Sequence, residues 1–580
     1  MAGLEPAASS SRTKHATKLR YTPENSVEIN LIYIPYVLYY SIQIKSRKFL
    51  QYLTLISLGD ILCVYLFIRT VFMIVKVNTG ALSGLDGKSV IVEADFSNGL
   101  PAFDVVGLPD ATVREAKERV RAALKNSGFE FPAKRAVINL APADLKKEGT
   151  QFDLPIAISI LAGTGQLKAD LSPYMFIGEL GLSGELRAVN GVLSLVTSAK
   201  EWGIKKIFVP MDNVDEAALT EDVEIHGARS LSDVFCHLTG EKTIMPTVCD
   251  IASVFSSSAQ YNIDFSDVRG QVALRRGIEL CVSGGHNLLL IGTPGSGKSM
   301  LAQRIPTILP DMTLEEAIEV TKIYSIAGEL DASTKLIATR PFRTPHHSAS
   351  AVSIVGGGAK ARPGEISLAH NGVLFLDEFP EYRKDVIESM RQPLEDKKIT
   401  VTRAAASYTY PCNTMLVVAL NPCKCGYYGD GSDRCRCTET EIRKYLGKLS
   451  GPMLDRIDIQ LEASPVKYAD LKAMKGESSQ DIKKRVNAAR EIQKERYKNE
   501  SITTNSQLSG SLIEKYCEIG ENESKMLKNA FDSLGLTARA YTRILKVART
   551  IADCDGRERI NEMDIAEAIG YRSLDRKYFG

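Results

Sequence analysis

The hydrophobic pattern of the chain changes character at Met73. Before it, Ile29 to Phe72 is crowded with Ile, Leu, Tyr and Lys, holds one glycine, Gly59, and follows neither a clean helical nor a clean strand period. From Met73 the text reads MIVKVNTGALSGLDGKSVIVEADFSNGLPAFDVVGLPD, alternating strand-like runs broken by Gly and Pro. Up to about Gly240 short strands alternate with helical patterns such as Asp110 to Asn126, an α+β arrangement by period alone. Leu238 to Gln260, with a serine run at Ser256 to Ser258, reads as a linker. Beyond it, the apolar runs that end at Ile291, Leu376 and Leu420 read as buried strands. The pattern sets 1–72 apart from 73–240 and from a linker, 241–262, in an α/β multidomain chain. Residues 1–72 are taken as an atypical extension foreign to the rest, with Met73 as the true start.

Each of the three buried strands ends on residues with chemistry. Gly292-Thr293-Pro294-Gly295-Ser296-Gly297-Lys298-Ser299 fits G-x-x-x-x-G-K-[ST] in full, between a strand and a helix. Glycines let backbone N–H groups close on phosphates, Lys298 supplies charge to the β- and γ-phosphates, and the Ser299 hydroxyl ligates Mg2+. The predicted cofactors are therefore ATP and Mg2+. Downstream, Gly372 to Leu376 runs into Asp377 and Glu378. There Asp377 orients the magnesium shell and Glu378 polarises the attacking water. Leu416 to Leu420 ends in Asn421, which reads either as a γ-phosphate or water contact or as a turn residue.

Composition narrows the partners. Lys plus Arg number 72 against 70 for Asp plus Glu, so a net charge of +2 gives no bulk field toward nucleic acid or anionic lipid. Any polyanion must be met by local basic loops. Leu53 to Val75 has about the length of a membrane span, but Asp60 and Arg69 interrupt it at about 2.5–3.5 kcal/mol each. No stable membrane association is expected. Of the 11 cysteines only Cys423, Cys425, Cys435 and Cys437 cluster, and no cleavable signal peptide precedes them, which points to a reducing cytoplasm. Their C-x-C-x9-C-x-C spacing supports either a tetrahedral Zn2+ site or a reduced thiol cluster that binds nothing. His346 and His347 are neighbours, and on an extended chain they would point opposite ways, so structural hydrogen bonding is preferred over a shared metal. Lys398 to Thr402 and Ser407 to Tyr410 read as a hairpin turning through Arg403 to Ala406. Arg403 near its tip, beside Lys397 and Lys398, reads as a phosphate contact or as incidental surface charge.

Longer runs carry resemblances. INLAPADLKKEGTQFDLPIAISILAGTG and IGELGLSGELRAVNGVLSLVTSAKEWGIKKIFVP are similar to the Lon protease catalytic domain, but Gln151 stands where that family carries its nucleophilic Ser and Leu193 where it carries its Lys. The resemblance implies a Lon-like domain over 73–240 kept for shape, binding or assembly, and not a protease. The three strand ends in order resemble the AAA+ ATPases. RPFRTPHHSASAVSIVGGGAKARPGEISLAHNGVLFLDEFPEY resembles the ComM/YifB family of magnesium-chelatase-like AAA+ proteins, as do DFSDVRGQVALRRGIELCVSGGHNLLLIGTPGSGKS and LTARAYTRILKVARTIAD. This implies an AAA+ core at 263–475, a C-terminal lid at 476–580 and a homo-hexameric ring with ATP between subunits. Arg456, in GPMLDRIDI, would be the finger reaching a neighbour's γ-phosphate, and Arg539 the lid's sensor, with Arg543 as the alternative. In the related helicase clade the hairpin enters the ring pore. The implied function is an ATP-driven motor on DNA, remodelling or branch-migrating strands in recombination or natural transformation. A chelatase-type motor inserting magnesium into porphyrin and an ATP-dependent assembly factor are the alternatives.

Overall fold

The computed structural model describes residues 27–34, 37–44, 74–257, 261–331, 334–358, 361–402, 407–465, 476–534 and 536–579. It divides into two compact units, Met1–Ile74 and Val75–Gly580. In the first, Val27–Ile34 and Val37–Ile44 pair as an antiparallel hairpin, where no strand period was read in the sequence. Both strands are apolar on alternate and adjacent positions alike, which hides a two-residue period. Asp60 and Arg69 lie outside the described residues. No helix among the described residues is long and apolar enough to cross a membrane.

The second unit opens with a seven-stranded mixed sheet in the order Glu224–Ala228, Lys206–Pro210, Tyr174–Phe176, Val75–Ser83, Asp86–Ser97, Arg135–Ala141, Ala102–Val106. Helix Ala111–Asn126 starts where the Asp110 carboxylate accepts from Val113 N at 2.8 Å, and it buries Val113, Ala116, Val120, Ala123 and Leu124 along one stripe. Helix Asp153–Gly163 is apolar almost throughout because it is buried almost throughout. Its Asp153 carboxylate takes two bonds from Arg119, at 2.7 and 2.9 Å, and burial still pushes it up to about 6.

Five parallel strands form the second sheet, in the order Phe342–Arg343, Val373–Leu376, Met415–Leu420, Leu288–Gly292, Ile459–Ala463. The three central strands are buried at every position, which is why each reads as an unbroken apolar run. Met415–Leu420 lies between the other two, so Asn421 emerges between the Gly292 loop and the Asp377–Glu378 pair. The C-terminal region is helical, with Ser479–Arg496 and Ala538–Cys554 packed on helix Val272–Gly284.

The two sheets belong to one body. Leu193, 1% exposed, packs with Leu219 against Met312, Ala317, Val320 and Leu336. The buried Glu216 carboxylate accepts from Leu193 N at 2.8 Å and from the Ser325 hydroxyl on helix Leu314–Ala327, and the same Ser325 oxygen accepts from Gly191 N at 2.8 Å. Burial pushes this carboxyl up from its ordinary value, and the bonds from Ser325, Leu193 and Asn213 Nδ2, the last at 3.3 Å, pull against that. The stretch read as a linker carries helix Ile251–Ser257, and Cys249, Val254 and Phe255 pack into the Leu193 cluster. Its serines concealed an apolar face.

Candidate functional site

The Gly292 loop is built by backbone geometry that only glycine adopts without strain. Gly295 at φ 77° and Gly297 at φ 87° turn the chain so that helix Lys298–Ile308 begins pointing at the loop, its unpaired N–H groups facing where an anion would sit. The Lys298 ammonium is buried and donates to Gly292 O at 2.8 Å, Thr293 O at 3.1 Å and Asn421 Oδ1 at 3.2 Å. Burial pushes it below its usual range while Asp377 raises it. The Ser299 hydroxyl donates to Asp377 Oδ2 at 2.7 Å. Ser296 Oγ is buried with no hydrogen-bond partner among the described residues. A cradle of amides, an ammonium, a hydroxyl–carboxylate pair and an unsatisfied hydroxyl together match a nucleotide triphosphate with its magnesium ion.

Glu378 follows Asp377 in the left-handed region, at φ 50°, with its amide donating to Asp377 Oδ1 at 2.9 Å. That conformation costs a non-glycine residue about 1–3 kcal/mol and is found where function over-determines the backbone. It turns the Glu378 side chain outward, 56% exposed, with Oε2 3.4 Å from His347 Nδ1. His347 was set aside in the sequence as half of an adjacent pair on an extended chain. The chain turns there instead, Ala349 N donating to His346 O at 2.9 Å, and the two rings lie 4.0 Å apart. Linear periodicity cannot see a turn that is held by tertiary packing.

Arg456 and Arg539 lie elsewhere. Arg456 donates to Arg391 O at 3.0 Å, to Pro452 O at 2.7 Å and to the Glu395 carboxylate. Arg539 binds Asp455 Oδ2 at 3.1 Å. Both line a cavity of about 590 Å³ with Lys397, Arg543, Asp455 and Asp458, beside Asn287. Asn287 precedes the strand that ends at Gly292, so this cavity is at the opposite end of the sheet, about 16 Å along the strand from the phosphate loop. Arg539, read in the sequence as the lid's sensor, thus lies at the foot of the sheet, away from the phosphate loop of its own chain. The helix that carries it packs on Val272–Gly284, and His286 meets Thr550 at 2.7 Å, holding that helix at the foot of the sheet.

The foot is organised by Asp458. It is buried, accepts from Asn287 N at 3.0 Å and from Arg543, and lies 3.5 Å from His286 Nδ1. Burial pushes its carboxyl up, but Arg543 and His286 outweigh that and hold it well below the usual carboxylate range. A lowered folded-state value means stabilisation that is present above about pH 3.9 and lost as the pH falls. Asp458→Asn should therefore lower unfolding free energy by about 3 kcal/mol at neutral pH, since Arg543 would stay buried without its counter-charge. Denaturant unfolding from pH 3 to 8 checks this, and the variant's acid limb should be flatter than the wild type's.

The four clustered cysteines lie with all sulfurs within 4.8 Å of one another. Cys423 to Cys435 is 3.8 Å and Cys425 to Cys435 is 3.7 Å, close to the edge of about 3.8 Å that Zn–S bonds of about 2.3 Å impose on a tetrahedron, while Cys423 to Cys425 is tighter at 3.2 Å. Burial pushes the Cys425 thiol up, but the Tyr427 amide and the neighbouring thiols bring it down to about 6, a thiolate-prone member as a metal site needs. Hairpin strands Lys398–Thr402 and Ser407–Pro411 pair in antiparallel register; Arg403 lies outside the described residues. In the first sheet's domain Gln151 is 5% exposed and donates back to Glu148 O at 2.9 Å, and Leu193 is committed to packing.

Comparison with known proteins agrees with this arrangement. The family described as magnesium chelatase, subunit ChlI, matches residues 264–471, its C-terminal family matches 476–572, and the family described as subunit ChlI of Mg-chelatase matches 92–213. The chain is 45% identical over 504 residues to uncharacterized protein YifB of Salmonella typhimurium, covering 86% of this chain and 97% of that protein. It is 42% identical over 502 residues to competence protein ComM of Haemophilus influenzae, with 86% and 97% covered. A shorter likeness, 33% over 93 residues, 16% of this chain and 20% of the relative, is to DNA repair protein RadA of Listeria monocytogenes. With its phosphate loop, acidic strand end and helical C-terminal region in one body, the chain belongs to the ComM/YifB family of magnesium-chelatase-like AAA+ proteins, a family whose fold implies ATP, Mg2+ and ATPase activity.

Proposed function

We propose that this protein hydrolyses ATP in a homo-hexameric ring and uses the energy to move DNA strands in recombination or natural transformation. The observation that carries the reading is the separation of Arg456 from its own phosphate loop by the length of the sheet. An arginine so placed meets a γ-phosphate only when a second copy presents its loop to the cavity at the foot of the sheet. Lys298, Ser299, Asp377, Glu378 and Asn421 then act on the nucleotide bound by the same chain, and Arg456 and Arg539 on the neighbour's. The DNA part draws on the relatives named for competence and DNA repair, and on the hairpin that Arg403 tips. Four cysteine sulfurs within 4.8 Å of one another fit one Zn2+ per chain. A cytoplasmic, reducing setting suits such a site.

ATPase rates with single-stranded, duplex, forked and four-way DNA test the reading. Arg403→Ala should keep the DNA-free rate, lose most of the DNA stimulation, and make the log–log salt slope of DNA affinity shallower by about one unit. Equal stimulation and equal slopes in variant and wild type would remove the hairpin from the DNA path. No stimulation by any of the four DNAs would favour a chelatase-type motor. One observation supports that second reading: even the Lon-like part matches a family described as a magnesium chelatase subunit.

A further inference from the structure

We propose that the cysteine cluster is a metal-dependent clamp on the phosphate loop, so that zinc occupancy sets nucleotide affinity; this rests on the zinc reading above. Two contacts join the cluster to the nucleotide site. Cys423 comes two residues after Asn421, whose Oδ1 accepts from the Lys298 ammonium at 3.2 Å. Gly426 closes a turn by donating to Cys423 O at 3.0 Å, and it lies so close to the loop that a Cβ on it would stand 2.6 Å from Cδ of Pro294. Gly426 also has φ 87°, so the turn is shaped to face Pro294 in a conformation that side-chain-bearing residues disfavour.

The cluster is seated most deeply at Cys423, with Cys425, Cys435 and Cys437 partly buried against the same core. Cys423 is fully buried in the core that holds Leu376, Phe379 and Leu420, the residues around the acidic strand end and the Asn421 strand. Cys425, Cys435 and Cys437 are half-buried, and the ten-residue step from Cys425 to Cys435 passes through Gly426, Gly429 and Gly431. Chain of that composition has high conformational entropy, offset in part by the Tyr428 ring on Tyr578 and the Arg434 guanidinium over Tyr427. Four thiolate–metal bonds would close it, fixing the Cys423–Gly426 turn against Pro294 and, through Asn421, the position of the Lys298 ammonium. Freed of metal, the turn and the loop it leans on would sample other shapes. Nucleotide would then bind only the fraction with the competent shape. If that fraction falls to about a tenth, the apparent Kd rises about tenfold.

The full-length protein is purified under reductant, its zinc is measured by mass spectrometry, and the Kd of a fluorescent ATP analogue with Mg2+ is measured before chelation, after it, and after Zn2+ is restored. The expected result is one zinc per chain, a Kd about tenfold higher on withdrawal, and recovery on return of the metal. Cys435→Ser with Cys437→Ser, changed on the side away from Pro294, should be zinc-poor and show the raised Kd. Gly426→Ala keeps all four thiols and should keep its zinc yet bind nucleotide more weakly, because its methyl meets Pro294. Folded wild type without zinc would overturn the metal reading and the clamp with it. Zinc present with a Kd indifferent to its removal, or Gly426→Ala holding zinc and binding nucleotide as wild type does, would overturn the clamp alone.

Discussion

Glu378→Gln is expected to bind ATP with near wild-type affinity and to turn it over about 10²–10⁴-fold more slowly. Lys298, Ser299 and Asp377 would supply the phosphate and magnesium contacts, with Ser299 to Asp377 at 2.7 Å, and the Glu378 side chain is not needed for them. Its carboxylate is the exposed one of the pair, turned outward by a left-handed backbone and facing His347. The amide that replaces it has nearly the same shape but cannot accept the water's proton. Single-turnover hydrolysis and nucleotide-binding titrations separate the two quantities. Turnover within a few-fold of wild type would assign the base to another group. His347, 3.4 Å from Glu378 Oε2, would be the first to examine.

Arg456→Ala is expected to bind nucleotide normally and lose about 10³–10⁵ in kcat, the range associated with an arginine that neutralises charge on a transferring phosphoryl group. The guanidinium is held in place for such a task by Arg391 O and Pro452 O, at 3.0 and 2.7 Å, so its absence removes a prepositioned charge and not a flexible one. Because it lies at the foot of the sheet, mixing the variant with inactive Lys298→Ala should restore part of the activity. Mixed rings then contain interfaces where an intact loop faces an intact arginine. Failure to recover at any mixing ratio would break the ring reading. Retention of full activity by Arg456→Ala would leave ATP with an assembly role and no motor.

The phosphate loop was legible because its chemistry is local. Eight consecutive residues supply the glycines, the ammonium and the hydroxyl, and the strand and helix on either side follow from an apolar run and the residues after it. The acidic pair was legible for the same reason, as was the thiol spacing. The sequence also showed Gln151 and Leu193 at the two positions where the Lon resemblance would place a Ser and a Lys. The use made of one of them was not legible there. That Leu193 packs against Met312 and Val320, more than a hundred residues away, depends on how two separately patterned regions meet.

The sequence by itself determined the buried strands, the phosphate loop and the residue types at each strand end, because periodicity and short-range backbone geometry are properties of neighbours in the chain. Tertiary structure alone decided which strand ends converge and which stay apart. Met415–Leu420 enters the sheet between the other two strands and brings Asn421 to Lys298, across 123 residues. The turn after Pro345 brings His347 to Glu378. Helix Ala538–Cys554 settles at the foot of the sheet because Ile544, Leu545, Val547 and Ala548 bury against the core there, and it carries Arg539 and Arg543 to the cavity lined by Arg456 instead of to the loop at Gly292. Apolar burial has no direction along the chain, so a helix's pattern states which face is covered and leaves to the packed whole the choice of what covers it.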